Sequence, residues 1–154
     1  MTQQQPLQGQ IAFVTGAGSG IGAAITRELA TAGALVVAAD RDFAAVTAVA
    51  ASLTQPCAAV QAVHLDVTSA EAVSLAMDTV MREHGQLDVL VNCAGILTEV
   101  PLLEMPLETW DQMIEVDLRS VFLCCRFAAP TWSPPAKVES STSHLNWHSR
   151  AVSH

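Results

Sequence analysis

The stretch VTGAGSGIG, residues 14–22, decides how the rest of this chain is interpreted, because it joins an apolar run to a helical pattern. Gly16 permits a tight turn, Gly20 lets a pyrophosphate approach the backbone, and Gly22 allows the helix to pack closely on the strand. The helix that follows offers N–H groups and a positive dipole end to phosphate groups. A plain turn is the alternative, but three glycines at a strand-to-helix junction favour a phosphate-binding loop.

Around this loop the chain alternates apolar runs with helical patterns. The predicted strands are QIAFVTGA, ALVVAAD, AVHLDV and LDVLVNCAG. The predicted helices are GIGAAITRELATAG, DFAAVTAVAASLT, SAEAVSLAMDTVMREHG and PLETWDQMIEVDLRSVFLCCRFAA. In the first helix Ile21, Ile25 and Leu29 form an apolar stripe, and Thr68 with Glu71 forms a capping box before the third. Near-continuous apolar strands separated by helices predict an α/β fold, with a parallel sheet covered on both faces.

Composition and charge limit the class of protein. With 154 residues, 51% of them hydrophobic, the chain is long enough for one domain with a core. A formal net charge of −8 argues against nucleic acid and anionic membranes as partners. The polar start MTQQQPLQGQ is not typical of a signal peptide, and Cys57, Cys93, Cys124 and Cys125 have neither zinc nor disulfide spacing. We expect a soluble, cytoplasmic protein with buried, reduced thiols and no metal.

An acidic residue, Asp40, ends the second predicted strand about 20 residues past the glycine loop. A carboxylate there can accept hydrogen bonds from both ribose hydroxyls of an adenosine and repels a 2′-phosphate, so it favours NAD over NADP. An ordinary solvated carboxylate at a strand end is the alternative. Arg41, the next residue, leaves room for NADP.

Residues 10–130 resemble the first half of a classical short-chain dehydrogenase/reductase. The segment TGAGSGIG matches that family's TGxxxGxG cofactor loop. LDV, with Asp66 and Val67, matches its adenine-contacting strand end, and NCAG, residues 92–95, matches its NNAG motif with Cys93 replacing the second Asn. Several motifs in the family's order are more specific than a lone glycine pattern.

The resemblance implies a Rossmann-like doubly wound parallel sheet and an NAD(P)-dependent oxidoreductase that moves hydride between the cofactor and an alcohol or carbonyl compound. The family's strand order is 3-2-1-4-5-6-7, and this chain would supply 3-2-1-4, so we expect a fold truncated after the fourth strand and fourth helix. NAD is the expected cofactor, with NADP less favoured. The residues expected to bind it are Gly16, Ser19, Gly20, Ile21, Gly22, Asp40, Asp66, Val67, Asn92, Ala94 and Gly95.

The family's proton-transfer residues are missing. Its members use a Ser, a Tyr and a Lys in Tyr-x-x-x-Lys, aided by an Asn, for general acid–base catalysis. This chain contains no tyrosine, and its one lysine is Lys137. Asp117 stands at the position of the family's helical Asn, although it could also be an ordinary polar residue on a helix. No catalytic set is complete, so we predict that this form is inactive; the alternative function is an inactive nucleotide-binding or dimerising module.

The chain is expected to have three parts. They are a polar lead at residues 1–9, an NAD(P)-binding half-domain at 10–130, and an irregular tail at 131–154. A permitted coding string for residues 138–143, read one frame over, gives Arg-Val-Ile-Asn-Ile, which resembles the family's fifth strand. We therefore expect the tail to be an out-of-frame translation.

Two other interpretations of the tail remain open. A disordered interaction segment fits its composition. A metal-binding segment is less favoured, because His144, His148 and His154 lack Cys or carboxylate partners at ligand spacing.

Loss of a fifth strand would uncover two apolar surfaces. Strand four would be an open sheet edge, and helix four would lose cover over an apolar stripe. That stripe comprises Trp110, Met113, Ile114, Leu118, Val121 and Phe122. In the family this helix often forms part of a dimer interface, so an intact member is expected to be a homo-oligomer.

Overall fold

A four-stranded parallel sheet with helices on both faces forms the described part of the protein, residues 5–53 and 59–132 of a computed structural model. The strands are β1 (Ile11–Thr15), β2 (Leu35–Asp40), β3 (Ala59–His64) and β4 (Val89–Asn92). The helices are α1 (Gly20–Thr31), α2 (Phe43–Ala51), α3 (Ala70–His84), α4 (Leu107–Ile114) and α5 (Ser120–Trp132). A 3-10 turn at Leu102–Glu104 precedes α4, and a π-helical segment at Glu115–Arg119 joins α4 to α5. The predicted α/β class and the strand order β3-β2-β1-β4 are confirmed.

The core lies in two layers because successive side chains of a strand point to opposite faces of the sheet. In β1, Ile11 and Phe13 pack with residues of α3 and α5, while Ala12 and Val14 pack with residues of α1 and α2. All four side chains are buried. The two layers explain why residues 11–14 of β1 are all apolar, as expected for a central parallel strand.

The strand register brings the carboxyl ends of the strands to one edge of the sheet. Thr15, the last residue of β1, is opposite Ala39 of β2 and Asn92 of β4. The chain leaves β1 toward β2 on one side, while β4 lies on the other side, so the direction of winding reverses next to β1. In open α/β sheets ligands bind in the crevice at such a reversal.

Helix α1 buries only part of the predicted apolar stripe, because Ile25 and Leu29 are half-buried against the core while Ile21 is exposed. Ile21 is 76% exposed, and the buried residues are Gly22, Ala23, Thr26 and Ala30. The closest approach is at the start of the helix, where a Cβ on Gly22 would overlap the carbonyl oxygen of Gly16. Ile21 instead lies at the mouth of the loop.

The capping residue of α3 is Ser69 rather than Thr68. The Ser69 hydroxyl accepts a hydrogen bond from the backbone N–H of Ala72 at 3.2 Å. Thr68 is one residue too early and uses its own N–H and hydroxyl on Asp66. The predicted capping box is therefore wrong by one residue. At the other end, α3 stops at Gly85, which has a left-handed φ of 75°.

The fourth predicted helix is continuous but contains the π segment in its middle. It buries Leu123, Cys124 and Ala128 against the sheet and α3, and Ser120 is also buried. Of the predicted apolar stripe, the residues exposed in the described chain are Trp110, Ile114, Leu118 and Phe122. Met113 and Val121 are half-buried.

Helix α5 continues two residues past the predicted boundary at 130. Thr131 and Trp132 are helical, and the Trp132 indole N–H donates to the Leu87 carbonyl at 2.7 Å. Of the tail predicted to be out of frame, residues 131–154, the part from 133 onward lies outside the described residues, including Lys137 and the three histidines. In the described ranges, no helix has the length and apolarity that a bilayer span requires.

Candidate functional site

An open cleft of about 350 Å³ lies at the carboxyl edge of the sheet, above β1, β2 and β4. It is lined by every residue predicted to bind the cofactor except Asn92. The lining also includes five residues that were not predicted as cofactor ligands: Arg41, Leu65, Cys93, Ile96 and Val116. The motifs spread over 80 positions of sequence thus converge on one concave surface.

Two glycines of the loop are required by close backbone approach. Gly16 has a left-handed φ of 64°, and a Cβ there would lie 2.7 Å from the backbone nitrogen of Ala94. A Cβ on Gly22 would overlap the carbonyl oxygen of Gly16. The first glycine therefore sets the distance between the loop and the β4 end, and the last sets the distance between the loop and the start of α1.

Gly20 has a different environment. Its φ is 52°, and a Cβ there would meet no protein atom within 4 Å. Ser19, the N-cap of α1, makes no side-chain capping hydrogen bond, and no acidic residue lies in the first turn. This helix end therefore faces open space with its positive dipole end, an arrangement that suits an anionic group.

Thr15 joins the glycine loop to the end of β4. Its buried hydroxyl oxygen accepts hydrogen bonds from the backbone N–H groups of Cys93 and Ala94, each at 3.2 Å. The threonine of the predicted TGxxxGxG pattern thus holds the NCAG turn against β1. This contact explains why the first position of the motif needs a hydroxyl.

Asp40 is bound to the backbone at the cleft wall and is not merely solvated. One carboxylate oxygen accepts from the Gly18 N–H at 2.8 Å, and the other accepts from the Asp42 N–H at 2.9 Å. Its backbone carbonyl accepts from Leu65 N–H at 3.0 Å. The carboxylate is therefore held in one orientation beside the glycine loop, and each oxygen retains a second lone pair for a ligand hydroxyl.

Asp66 forms the next part of the wall, in the turn between β3 and α3. It accepts hydrogen bonds from the Thr68 hydroxyl at 2.7 Å and from the Thr68 N–H at 2.9 Å. These bonds, the hydroxyl first, lower the pKa of the Asp66 carboxyl, against the opposing effect of burial. The residue is thus ionised at neutral pH, and the turn that carries Val67 is held in place.

Asn92 does not line the cleft. Its side-chain amide instead donates to the Sγ of Cys125 on α5, at 3.7 Å. The residue ends β4, where alternate side chains point away from the cleft side of the turn. Ala94 and Gly95, two and three positions later, are the members of the NCAG motif that reach the cleft along with Cys93.

The cysteines depart from the expected buried set. Cys124 is buried, and burial, followed by the neighbouring Cys125, raises its pKa to about 11. Cys125 is exposed and Cys93 is half-buried in the cleft wall. Each of these three is a free thiol, and Cys57 lies outside the described residues.

Asp117 holds the loop that follows the NCAG turn. One of its carboxylate oxygens accepts from the Ile96 N–H at 2.8 Å. Asp117 belongs to the π segment, and Val116 of the same segment lines the cleft. Such segments are frequent at functional sites. Nothing in the sequence periodicity indicated that this segment would reach the cleft.

The cleft combines the open N-terminus of α1, the fixed Asp40 carboxylate and an apolar wall that includes Ile96 and Val116. Such a cleft can bind an elongated anionic ligand that carries hydroxyl groups. Within residues 5–53 and 59–132, no cluster of three or more His, Cys, Asp or Glu residues could hold a metal ion. The described residues therefore form a site for an organic anion and supply no metal centre.

Comparison with known proteins agrees with this geometry. Residues 10–141 match the family model described as short chain dehydrogenase. The chain is 41% identical over 120 residues to a D-threitol dehydrogenase of Mycolicibacterium smegmatis, which covers 78% of this chain and 46% of that protein. It is 40% identical over 121 residues to a meso-2,3-butanediol dehydrogenase of Serratia marcescens, covering 79% and 47% respectively. The chain thus spans about half the length of these curated relatives.

A solved structure supports the same relation. A metagenomic short-chain oxidoreductase, crystallised in complex with NADP, superposes with a TM-score of 0.77 at 38% identity. The match covers 82% of this chain and 57% of that one.

Proposed function

Because the chain belongs to the short-chain dehydrogenase family, a family of oxidoreductases, we propose that its cleft binds a nicotinamide dinucleotide. The observation that carries this proposal is the Asp40 carboxylate fixed beside the glycine loop, at the end of β2, next to a helix N-terminus that faces open space. An adenosine and a pyrophosphate need those two groups, side by side, in a crevice at a reversal of the sheet.

The proposed binding mode assigns each wall a part of the cofactor. Gly20 and the start of α1 hold the pyrophosphate, and Asp40 accepts the ribose hydroxyls of the adenosine. Asp66 and Val67 contact the adenine ring, while the NCAG end of the cleft accommodates the nicotinamide half. In a whole family member the bound cofactor would supply hydride-transfer chemistry, and the residues described here would position it.

We further propose NAD rather than NADP as the preferred cofactor. Asp40 is anionic and has a fixed orientation, so a 2′-phosphate would be placed against a like charge that cannot turn away. Arg41 lines the same cleft and would offset part of that repulsion. The solved neighbour with NADP shows that the family fold accepts the phosphorylated cofactor, so the balance at these two residues decides the preference.

Asp40→Asn is expected to narrow the preference for NAD over NADP by at least about 10-fold, because the substitution removes the charge that faces the 2′-phosphate. NAD affinity should also fall modestly, since the amide retains one acceptor for two backbone N–H groups. Calorimetric titration of both dinucleotides against the wild type and the variant measures the change.

Asp42→Asn is the matched control. It removes the same charge two residues away, outside the cleft lining, and its side-chain oxygen can still cap α2 through the Ala45 N–H. The two cofactors should bind this variant with the wild-type ratio. An equal shift in both variants would mean that general charge, and not Asp40, sets the preference.

For the whole protein we propose hydride transfer between NAD(P) and an alcohol or carbonyl substrate. For this 154-residue chain we propose binding without turnover, because it contains no tyrosine to act as the family's proton donor. Purified chain should therefore bind NAD and yet produce no NADH with a panel of secondary alcohols and diols. Steady NADH formation above a heat-treated control would contradict this proposal, and no binding heat at millimolar NAD would contradict the cofactor site.

A nucleotide-binding or dimerising module is the second candidate function. It is favoured by the exposed apolar residues of α4, the π segment and α5, among them Trp110, Leu118 and Phe122. We also propose that the intact protein forms a homo-oligomer through this face and that it is cytoplasmic. We further propose that residues from about 131 onward are translated out of frame. Resequencing the coding region around the Pro130 codon tests the last of these.

A further inference from the structure

We propose that Arg119, in the π segment, is a positioning residue for the turn that carries Asp66 and Val67. These two residues are the adenine-side wall of the cleft. The inference rests on the proposed dinucleotide site and adds to it a residue that does not line the cleft. It concerns how the turn between β3 and α3 is kept in place.

The contact that carries the proposal joins two distant parts of the chain. The Arg119 guanidinium Nη1 donates to the backbone carbonyl of Thr68 at 3.1 Å and to the Glu115 carboxylate at 2.8 Å. Both side chains of the ion pair are about half exposed, so the pair itself contributes little to stability. Its effect is to orient the guanidinium toward Thr68, because Glu115 lies one turn earlier on the same helix.

Thr68 is the residue on which the adenine-side wall depends. Its N–H and hydroxyl both bind Asp66, which lines the cleft with Val67. The turn follows β3, which is the edge strand of the sheet and pairs with β2. A turn at the end of an edge strand has a neighbouring strand on only one side. The hydrogen bond from Arg119 therefore adds a restraint that the sheet does not supply.

The same segment also holds the opposite wall. Asp117 accepts the Ile96 N–H, and Arg119 donates to the Thr68 carbonyl. Residues two apart on a helix lie on opposite sides of it, so one helical segment reaches both loops. The π segment therefore sets the distance between the adenine side and the NCAG side of the cleft, and Arg119 is its contact on the adenine side.

Arg119→Met tests this role because methionine keeps the unbranched stem and helix propensity but has no donor. In ligand-free protein, amide hydrogen exchange at residues 65–69 should become about 5-fold faster, and NAD should bind about 5-fold more weakly by calorimetry. Arg119→Lys keeps a charged donor and should recover part of the exchange protection and part of the NAD affinity. The denaturant midpoint should stay close to the wild-type value, since the side chain is half exposed.

Arg126→Met is the matched control, because Arg126 lies on α5 away from the cleft and makes a cation–π contact with Phe122. It should leave exchange at 65–69 and NAD affinity unchanged. Unchanged exchange in Arg119→Met, or faster exchange with unchanged NAD affinity, overturns the positioning role. If the wild type itself does not bind NAD, the proposed function fails, and the exchange result in ligand-free protein still decides whether Arg119 restrains the turn.

Discussion

Replacement of Gly22 by alanine is expected to destabilise the domain by about 3 kcal/mol and to abolish measurable dinucleotide binding. The added Cβ would overlap the Gly16 carbonyl oxygen, which is backbone and cannot rotate away as a side chain could. Either the start of α1 or the loop must shift. A loss of even about 2 kcal/mol in loop placement weakens binding by about 30-fold. Urea unfolding and calorimetry with NAD measure the two effects separately.

Gly85→Ala is the matched control for this substitution. Gly85, at the C-terminal end of α3, has a left-handed φ of 75° that favours glycine. A Cβ there would meet no atom within 4 Å. We expect a loss of about 1 kcal/mol from the left-handed conformation, with no change in NAD affinity. A Gly22→Ala variant with wild-type affinity would show that the loop is not placed by this contact.

The second large effect is expected for Thr15→Val, a substitution that preserves shape and removes one buried oxygen. The backbone N–H groups of Cys93 and Ala94 would both lose their acceptor. Each unsatisfied group costs about 1–3 kcal/mol, so we expect a total loss of about 3 kcal/mol in the free energy of unfolding. The NCAG turn would also be released from β1, so NAD affinity should fall in the same variant.

Thr26→Val makes the same chemical change as Thr15→Val, but we expect no loss of stability. Thr26 is fully buried in α1, and its hydroxyl oxygen has no hydrogen-bond partner among the described residues. Removing an unpaired buried hydroxyl should leave stability unchanged or increase it by about 1 kcal/mol. If both variants lose the same stability, the cause is the general loss of a hydroxyl rather than the bonds to the NCAG turn.

Much of the fold could be predicted because the signals are local. The apolar runs and the helical periodicity lie within 5 to 15 residues of each other, and the strand order follows from the family pattern. The errors arose where tertiary packing decides: Ile21 fits the helical stripe but is exposed, because it lies at the cleft and not over the core. The cap of α3 moved to Ser69 because Asp66 uses Thr68.

The candidate site also contains residues that the sequence identifies and residues that only the structure identifies. Gly16, Gly20, Gly22 and Asp40 were identifiable because conformational freedom and charge at a strand end are properties of single positions. Arg119 and Val116 were not, because their residue types carry no signal without knowledge of what lies opposite them. Asn92 matched its motif, yet its side chain lies toward Cys125.

The sequence by itself determined the parallel α/β unit, the glycine loop and the absence of tyrosine, since each depends on residue identity or near-neighbour spacing. The tertiary structure alone decided which groups hold the cleft open: Thr15 with Ala94, Asp117 with Ile96, and Arg119 with Thr68, separated by 79, 21 and 51 residues. A hydrogen bond needs its partners within about 3 Å and well aligned. At such separations only the folded chain sets that distance.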